Sequence, residues 1–227
     1  MTMQLAIKPP SPPASLKART DWLAEQNSEG LRAAGPVIQV AEGREVFGEG
    51  DEADLFFKVV SGVVRVCKFL NDGRRQIEAF HVAGDVFGFE LSGEHILSAE
   101  AVSHCTLIVY RRRNIETLAD TDRSVGRQLL QFAMTNLAQA QQHALLLGRR
   151  GAAEKVAAFL LSWANHSKDR QVINLAMTRQ DIADYLGLTI ETVSRSFSQF
   201  ERDGLIALTN SREVQLKNLA ALEELAA

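Results

Sequence analysis

The hydrophobic positions of this chain change their period part-way along it. Between residues 36 and about 112, short β-branched and aromatic runs such as 55–60 and 63–69 alternate with turn signals such as Asp72-Gly73. Period-two runs of this length are typical of strands, and Asp-Gly between them predicts a two-residue hairpin. Many short strands at near-regular spacing predict an all-β barrel or roll.

The stretch before the strands has a different composition. Four of the five prolines lie within residues 1–20, together with little that could pack into a core, so we predict a mobile tail there. A short amphipathic helix is expected over residues 20–33, with Trp22, Leu23 and Leu31 on its apolar side. We therefore assign residues 21–117 to a sensor-like β-roll domain with a leading helix.

A long helix follows the strands, and we assign residues 118–148 to it. Its apolar positions begin near Asp122 and repeat every seven residues in two seams, which favours a symmetric dimer. Up to Leu147 the helix would span roughly 39 Å at 1.5 Å per residue. Packing of one face along the chain's own roll remains the alternative. The predicted dimer residues are Leu130, Ala133, Leu137, Ala140, Ala144 and Leu147.

Residues 178–206 carry two short helical patterns that meet at a glycine. Small Ala183, Gly187 four positions later and Val193 six further on have the spacing of a helix-turn-helix. Gly187 can take the positive φ of the turn, and Thr189 is a suitable N-cap for the second helix. We assign residues 149–227 to a DNA-binding domain.

The second of these helices has two distinct faces. Ile190, Val193, Phe197 and Phe200 are expected to pack inward, and the opposite face carries polar side chains: Glu191, Ser194, Arg195, Ser198 and Arg202. Arg can bond guanine and Glu can accept from cytosine N4, so this face could read bases. The alternative is a solvated face on which Glu191 and Arg195 form an i,i+4 ion pair.

Two alternating runs, 205–209 and 212–216, flank Asn210-Ser211 and predict a β-hairpin wing. An amphipathic run over residues 217–227 follows it. The complete prediction is an α+β protein with an N-terminal antiparallel β-roll, a long dimerisation helix and a C-terminal winged helix-turn-helix.

Bulk composition narrows the function classes. The formal net charge of the 227 residues is −3, so DNA binding would depend on a few placed charges rather than on a basic field. Cys67 and Cys105 lack the spacing of a metal site, and no run is apolar enough to cross a membrane, so we expect a soluble cytoplasmic protein. A cupin-like metalloenzyme would need clustered histidines, whereas no H-x-H pair is present.

The order of these elements resembles the Crp/Fnr superfamily of bacterial transcription regulators. The sharpest match is Thr178-Arg179-Gln180, then Gly187, then residues 191–195, whose Glu-x-x-Ser-Arg pattern is similar to the Fnr and FixK-type branch. The resemblance implies an activator that reads TTGAT-type half-sites as a homodimer on double-stranded DNA. It assigns base contacts to Glu191, Ser194 and Arg195, and phosphate contacts to Thr178, Arg179, Gln180, Thr189 and Thr192.

The resemblance also bears on the effector. Cyclic-nucleotide members of the superfamily carry Gly-Glu and Arg-Ser pairs, where this chain has Gly88-Phe89 and Leu97-Ser98. The iron-sulfur members carry an N-terminal cysteine cluster that this chain lacks. We therefore expect a regulator with no cofactor and no bound ligand. The alternative is a ligand-gated regulator holding a small molecule in the roll, or a haem ligated by one of the histidines His81, His95 and His104.

Two short segments suggest partners other than DNA. Arg111-Arg112-Arg113 is either a solvated patch or part of a surface that touches RNA polymerase. Leu225-Ala226-Ala227 is similar to the end of the tag that marks bacterial polypeptides for Clp-type proteases, although an Ala-rich helix end is the simpler interpretation.

Overall fold

The computed structural model describes residues 35–90, 92–149, 151–167 and 169–226. The predicted mobile tail over residues 1–20 and the leading helix over 20–33 lie outside the described residues.

The N-terminal half forms the predicted antiparallel roll from two facing four-stranded sheets, in the orders β1-β8-β3-β6 and β2-β7-β4-β5. Phe47, Phe57, Val64 and Leu107 are buried between the sheets, as their period-two positions require. The strands are β1 (Val37–Val40), β2 (Glu45–Phe47), β3 (Leu55–Ser61), β4 (Val64–Phe69), β5 (Arg75–His81), β6 (Val86–Phe87), β7 (Ser98–Ala101) and β8 (Cys105–Arg111).

The connection between β4 and β5 differs from the predicted two-residue hairpin. The strands end at Phe69 and resume at Arg75, and the Leu70 N–H donates to the Arg74 carbonyl at 2.8 Å. The tip therefore holds three residues, with Gly73 at φ +86°. Three-residue hairpin loops commonly have a glycine with positive φ at their third position. The Asp72-Gly73 pair therefore predicted the place of the turn correctly, but the predicted loop length of two residues is wrong.

Two helices follow the roll: α1 (Arg112–Thr121) and α2 (Arg123–Leu147). Asp122 separates them with an extended backbone, and its side chain accepts from the Ser124 N–H at 2.8 Å as the N-cap of α2. The long helix thus begins next to Asp122, where its apolar pattern was predicted to begin, and the domain boundary placed at residue 118 falls inside α1. Helix α1 was not predicted, although Ile115, Leu118 and Ala119 form an apolar stripe that packs on the roll.

One face of α2 lies along the roll of its own chain. Val125 is fully buried, Phe132 packs beside it, and the Asn136 side-chain amide donates to the Val86 carbonyl at 3.0 Å. The alternative packing of one face on the chain's own roll is therefore present. The seam predicted for a dimer lies on the adjacent strip of the same helix.

The C-terminal unit, from here on the head, contains four helices and a three-stranded sheet of order β10-β11-β9. The predicted wing is the β10–β11 hairpin, and β9 is a third strand too short to be seen in the pattern. The helices are α3 (Ala152–Ala164), α4 (Arg179–Leu186), α5 (Ile190–Arg202) and α6 (Leu219–Leu225), and the strands are β9 (Val172–Asn174), β10 (Ile206–Leu208) and β11 (Glu213–Leu216).

Within the described ranges, no helix combines the length and apolar character that a membrane crossing requires. No three His, Cys, Asp or Glu side chains in the same ranges lie close enough together to hold a metal ion.

Candidate nucleic-acid interface

The first helix of the helix-turn-helix begins at a complete capping box. The Thr178 hydroxyl accepts from the Asp181 N–H at 3.1 Å, and the Asp181 carboxylate accepts from the Thr178 N–H at 3.0 Å. Both bonds satisfy amides that would otherwise lack a partner at a helix start. The cap fixes where α4 begins and leaves Thr178 exposed at that end.

The turn between α4 and α5 follows the predicted spacing. Gly187 has φ +64°, and the Leu188 N–H closes the turn on the Ala183 carbonyl at 2.9 Å. Ala183 and Val193 are both fully buried, so the small residue and the apolar residue meet where the two helices cross. Thr189 caps α5 by accepting from the Thr192 N–H at 3.3 Å.

Helix α5 carries an exposed reading face, which we define as Glu191, Ser194 and Arg195. Behind it, Phe197 and Phe200 are each 2% exposed in the core of the head. The inward orientation predicted for Ile190 is wrong, because this residue is 37% exposed. It occupies the first helical position of α5.

The carboxylate of Glu191 and the guanidinium of Arg195 do not form an ion pair with each other. The Arg195 Nε contacts the backbone carbonyl of Glu191 at 3.4 Å. The pKa of Glu191 is lowered by a bond from its own backbone N–H, then by the Thr189 hydroxyl and by the Arg195 charge. The face therefore presents an ionised acceptor and a guanidinium to solvent, and it lacks the internal ion pair of the alternative interpretation.

The residues predicted to contact phosphates separate into two groups. Thr178, Gln180 and Thr189 are exposed at helix starts, and Thr192 is half-buried beside them. Arg179 is different, because its guanidinium carbon lies 3.3 Å from the centroid of the Phe197 ring and burial lowers its pKa to about 10. This arginine joins α4 to α5 through its contact with Phe197.

The seam predicted for a dimer is a continuous exposed strip of α2. Leu130 is 60% exposed and Leu137 50% exposed, and Ala133, Ala140 and Ala144 are exposed between and beyond them, whereas Leu147 is half-buried. Met134 and Leu145 are also exposed and were missed, because neither falls on the two seven-residue repeats.

A cavity of about 640 Å³ lies between the roll, α2 and the head. Burial, with a contribution from Glu90, raises the pKa of Glu78 in its wall. Burial lowers the pKa of His81 to about 4, against the opposing effect of Asp85. Leu97, which the resemblance implied to stand in place of an arginine, also lines this cavity.

Behind α4, sequence reasoning missed a set of charged contacts with the roll. Asp181 is only 2% exposed and bonds Arg65 of β4 and Arg75 of β5. The Thr-x-x-Asp spacing could have identified Asp181 as a capping residue. No local signal indicates its arginine partners, because they lie more than a hundred positions away along the chain.

Comparison with known proteins agrees with both halves of this architecture. The family described as the Crp-like helix-turn-helix domain matches residues 154–225, and the cyclic nucleotide-binding domain family matches residues 37–122. The nitrogen fixation regulation protein FixK of Azorhizobium caulinodans is 45% identical over 200 residues, which cover 86% of this chain and 81% of that protein. This chain belongs to the Crp/Fnr family.

Further relatives place it close to the FixK members of the Crp/Fnr family. The solved structure of FixK2 from Bradyrhizobium japonicum has a TM-score of 0.81 at 40% identity and covers 85% of this chain and 98% of its own. The fumarate and nitrate reduction regulatory protein of Escherichia coli is 30% identical over 82% of this chain and 77% of that protein. The predicted fold and family are confirmed. These relatives are transcription regulators and not enzymes, as the sequence analysis expected.

Proposed function

We propose that this Crp/Fnr protein is a FixK-type transcription activator that binds a TTGAT-type palindrome as a homodimer, without a bound effector. The observation that carries the proposal is the reading face, which stands exposed on a helix capped at Thr189 and backed by a close-packed core. Activation is supported by relatives that are named as activators, such as the transcriptional activatory protein AadR of Rhodopseudomonas palustris, at 40% identity.

On DNA, each side chain of the reading face would have a separate role. Arg195 would donate to O6 and N7 of a guanine, and Glu191 would accept from the N4 of the paired or neighbouring cytosine. Ser194 is short enough to let the helix approach the base edges. Thr178, Gln180 and Thr189 would contact phosphates from the helix starts, where amide dipoles favour an anion. Arg179 and Thr192 would add contacts from half-buried positions.

Homodimer formation is supported by the exposed strip on α2. Leu130 and Leu137, with Ala133 between them, would lie exposed to water along several turns of a lone chain. A second copy packed on the same strip would bury both strips around a two-fold axis. Two reading helices related by that axis would reach half-sites about 34 Å apart, one turn of DNA.

The absence of a bound effector is supported by the chemistry of the cavity wall. Glu78 and Glu90 both line the cavity, and a phosphate entering it would meet these carboxylates beside Leu97. Burial raises the pKa of each carboxyl. An anionic nucleotide is therefore a poor match for this end of the cavity.

A ligand-gated regulator is the second candidate, because the cavity is large and the described part of the chain gives His81 Nδ1 no hydrogen-bond partner. Calorimetry with cyclic nucleotides and an absorbance scan of the purified protein distinguish the two candidates. Heat of binding or a Soret band would favour gating by a small molecule or by haem, and neither is expected.

The experiment that tests the main proposal is selection of bound DNA from a random pool. We expect two inverted TTGAT-type half-sites at one fixed spacing. Recovery of a single half-site would contradict the homodimer, and recovery of unrelated sequences would contradict the assigned reading chemistry.

The proposal includes two further protein partners, RNA polymerase and a Clp-type protease. RNA polymerase would be contacted through Arg113, the exposed member of the arginine run, since Arg112 is paired with Glu116. A Clp-type protease would recognise the last residues, of which Ala226 is held by a bond from Arg149 to its carbonyl. Replacing both terminal alanines by aspartate should lengthen the cellular half-life, and an unchanged half-life would exclude that partner.

A further inference from the structure

Five charged side chains join the roll to the first helix of the helix-turn-helix, and we call this group the clamp: Arg65, Arg75, Glu100, Asp181 and Asp184. Arg65 donates to Glu100 through Nε at 2.8 Å and to Asp181 at 3.0 Å. Arg75 donates to Asp184 through Nε at 2.8 Å and also bonds Asp181. Each guanidinium therefore bridges two carboxylates, and the Arg75 pair crosses from β5 to α4.

The clamp is shielded from water. The side chains of Arg65 and Arg75 are 18% and 16% exposed, and that of Asp181 is 3% exposed. Salt screens such partly buried pairs much less than surface pairs. A planar guanidinium that makes several hydrogen bonds fixes both the distance and the orientation of its partners, whereas a single point charge fixes only the distance. The geometry of α4 relative to the two strands is therefore specified by these bonds.

A second contact next to the clamp restrains the same helix from α2. The imidazole of His143 stacks on the Tyr185 ring, with centroids 4.0 Å apart, and its Nε2 lies 2.8 Å from the Tyr185 carbonyl oxygen. Phe80 of β5 packs on the same tyrosine with centroids 5.3 Å apart. Helix α4 is thus held by the roll on one side and by the long helix on the other.

The clamp leaves the functional surfaces free. The same Asp181 that bonds the two arginines closes the capping box at Thr178, so the helix start expected to meet phosphate is anchored directly to the roll. The reading face and the exposed strip of α2 are both open to solvent while the clamp is closed. This conformation is therefore compatible with pairing of α2 and with DNA binding at once.

We propose that Arg65 and Arg75 are positioning residues that set the spacing of the half-sites this protein accepts. The inference rests on the proposed binding of a palindrome by a homodimer. Pairing through α2 fixes the two rolls relative to each other, and the clamp fixes each head relative to its roll. The distance and angle between the two α5 helices then follow from the clamp, with no ligand needed to hold them.

The test compares the binding of Arg75→Gln and of the wild-type protein to three palindromes. One has the spacer length found by selection, one a spacer shorter by one base pair, and one a spacer longer by one base pair. Fluorescence anisotropy of labelled DNA gives the affinities. We expect Arg75→Gln to bind the preferred spacing about tenfold more weakly, within the usual range for coupling between sites. We expect it to bind the three spacers nearly equally, with unchanged base preference inside each half-site.

Three further proteins complete the design. Arg74→Gln is the matched control, because among the described residues the Arg74 side chain pairs with Asp72 alone, in the exposed loop next to the clamp. Asp184→Asn should reproduce the loss of spacing preference from the other side of the ion pair. Arg75→Lys, which keeps a positive charge beside Asp181 and Asp184 but loses the planar fork, should retain part of that preference.

Melting temperatures separate misfolding from mispositioning. A folded Arg75→Gln or Asp184→Asn protein that keeps the wild-type spacing preference overturns the clamp proposal and leaves the proposed function intact. A wild-type protein that selects no paired half-sites overturns the homodimeric function, and the role of the clamp with it.

Discussion

The reading face of α5 and the wall of the cavity place polar side chains in opposite surroundings. Glu191, Ser194 and Arg195 are exposed. In the cavity wall, burial lowers the pKa of His81 to about 4 and raises that of Tyr185 to about 12. The polar groups of the reading face remain hydrated in the folded protein and would lose that water only on binding DNA. Those of the cavity wall are already partly shielded from water by folding.

The difference indicates where this protein should respond to its surroundings. A buried imidazole resists protonation, so acid should act on the stability of the roll. An exposed guanidinium stays charged at any physiological pH, so substitutions on the reading face should change DNA affinity and leave stability alone. Three experiments test this contrast, from the largest expected effect to the smallest.

Acidification should destabilise the roll through His81. Its pKa is 6.5 in the unfolded chain and about 4 in the folded protein, so between these values the unfolded chain binds a proton that the folded protein does not. The stability present above pH 6.5 is therefore lost as the pH falls towards 4, by roughly 3 kcal/mol in total. Urea unfolding at several pH values measures this loss of the free energy of unfolding.

His81→Phe is the control for that experiment, since Phe keeps the stacking on Phe87 and cannot bind a proton. Its stability should fall less steeply over the same range, with the remaining slope supplied by groups such as His95, whose pKa burial also lowers. Equal slopes for the two proteins would exclude His81 as the cause.

Arg195→Ala should weaken binding to the cognate site by about 2 kcal/mol, within the usual range for a bidentate base contact. It should also relax the preference at that base pair and leave the free energy of unfolding nearly unchanged, since the side chain is exposed. Anisotropy with the selected site and single-base variants measures it. Arg202→Ala, at the far end of the same helix, should keep the preference. Wild-type discrimination by Arg195→Ala would show that the proposed docking is wrong.

Arg179→Ala should have the smallest effect on DNA binding and a measurable one on the head. Loss of the phosphate contact should weaken binding to all sequences alike and reduce the salt slope by about 1. Loss of stacking on Phe197 should remove about 1 kcal/mol of stability. Salt titrations and urea unfolding measure the two. Arg179→Lys should restore the slope but not the full stacking, and an unchanged slope in Arg179→Ala would assign the residue to packing alone.

Local chemistry made much of the head predictable from its sequence. Gly187 and Thr189 act through bonds to residues within a few positions, so their roles as turn and cap follow from residue type and spacing. Ile190 was assigned to the wrong side because helical periodicity gives the direction of a side chain and does not show how far a helix end is covered.

Contacts between distant segments were not predictable in this way. Strand β9 has only three residues, so its pairing with β11 could not be seen in a period-two pattern. Arg75 and Asp184 are 109 positions apart, and each reads as an ordinary surface charge in its own segment. Which charges meet is decided by how the roll and the head pack, and no single helix or strand carries that information.

Asp181 closes the cap of α4 and also binds both arginines of the roll, so one carboxylate is shared by two folding units. The head of this protein is therefore not a freely interchangeable module. A chimaera that grafts this head onto another roll would need arginines at the places of Arg65 and Arg75, or it would bury an aspartate whose charge has no counterpart.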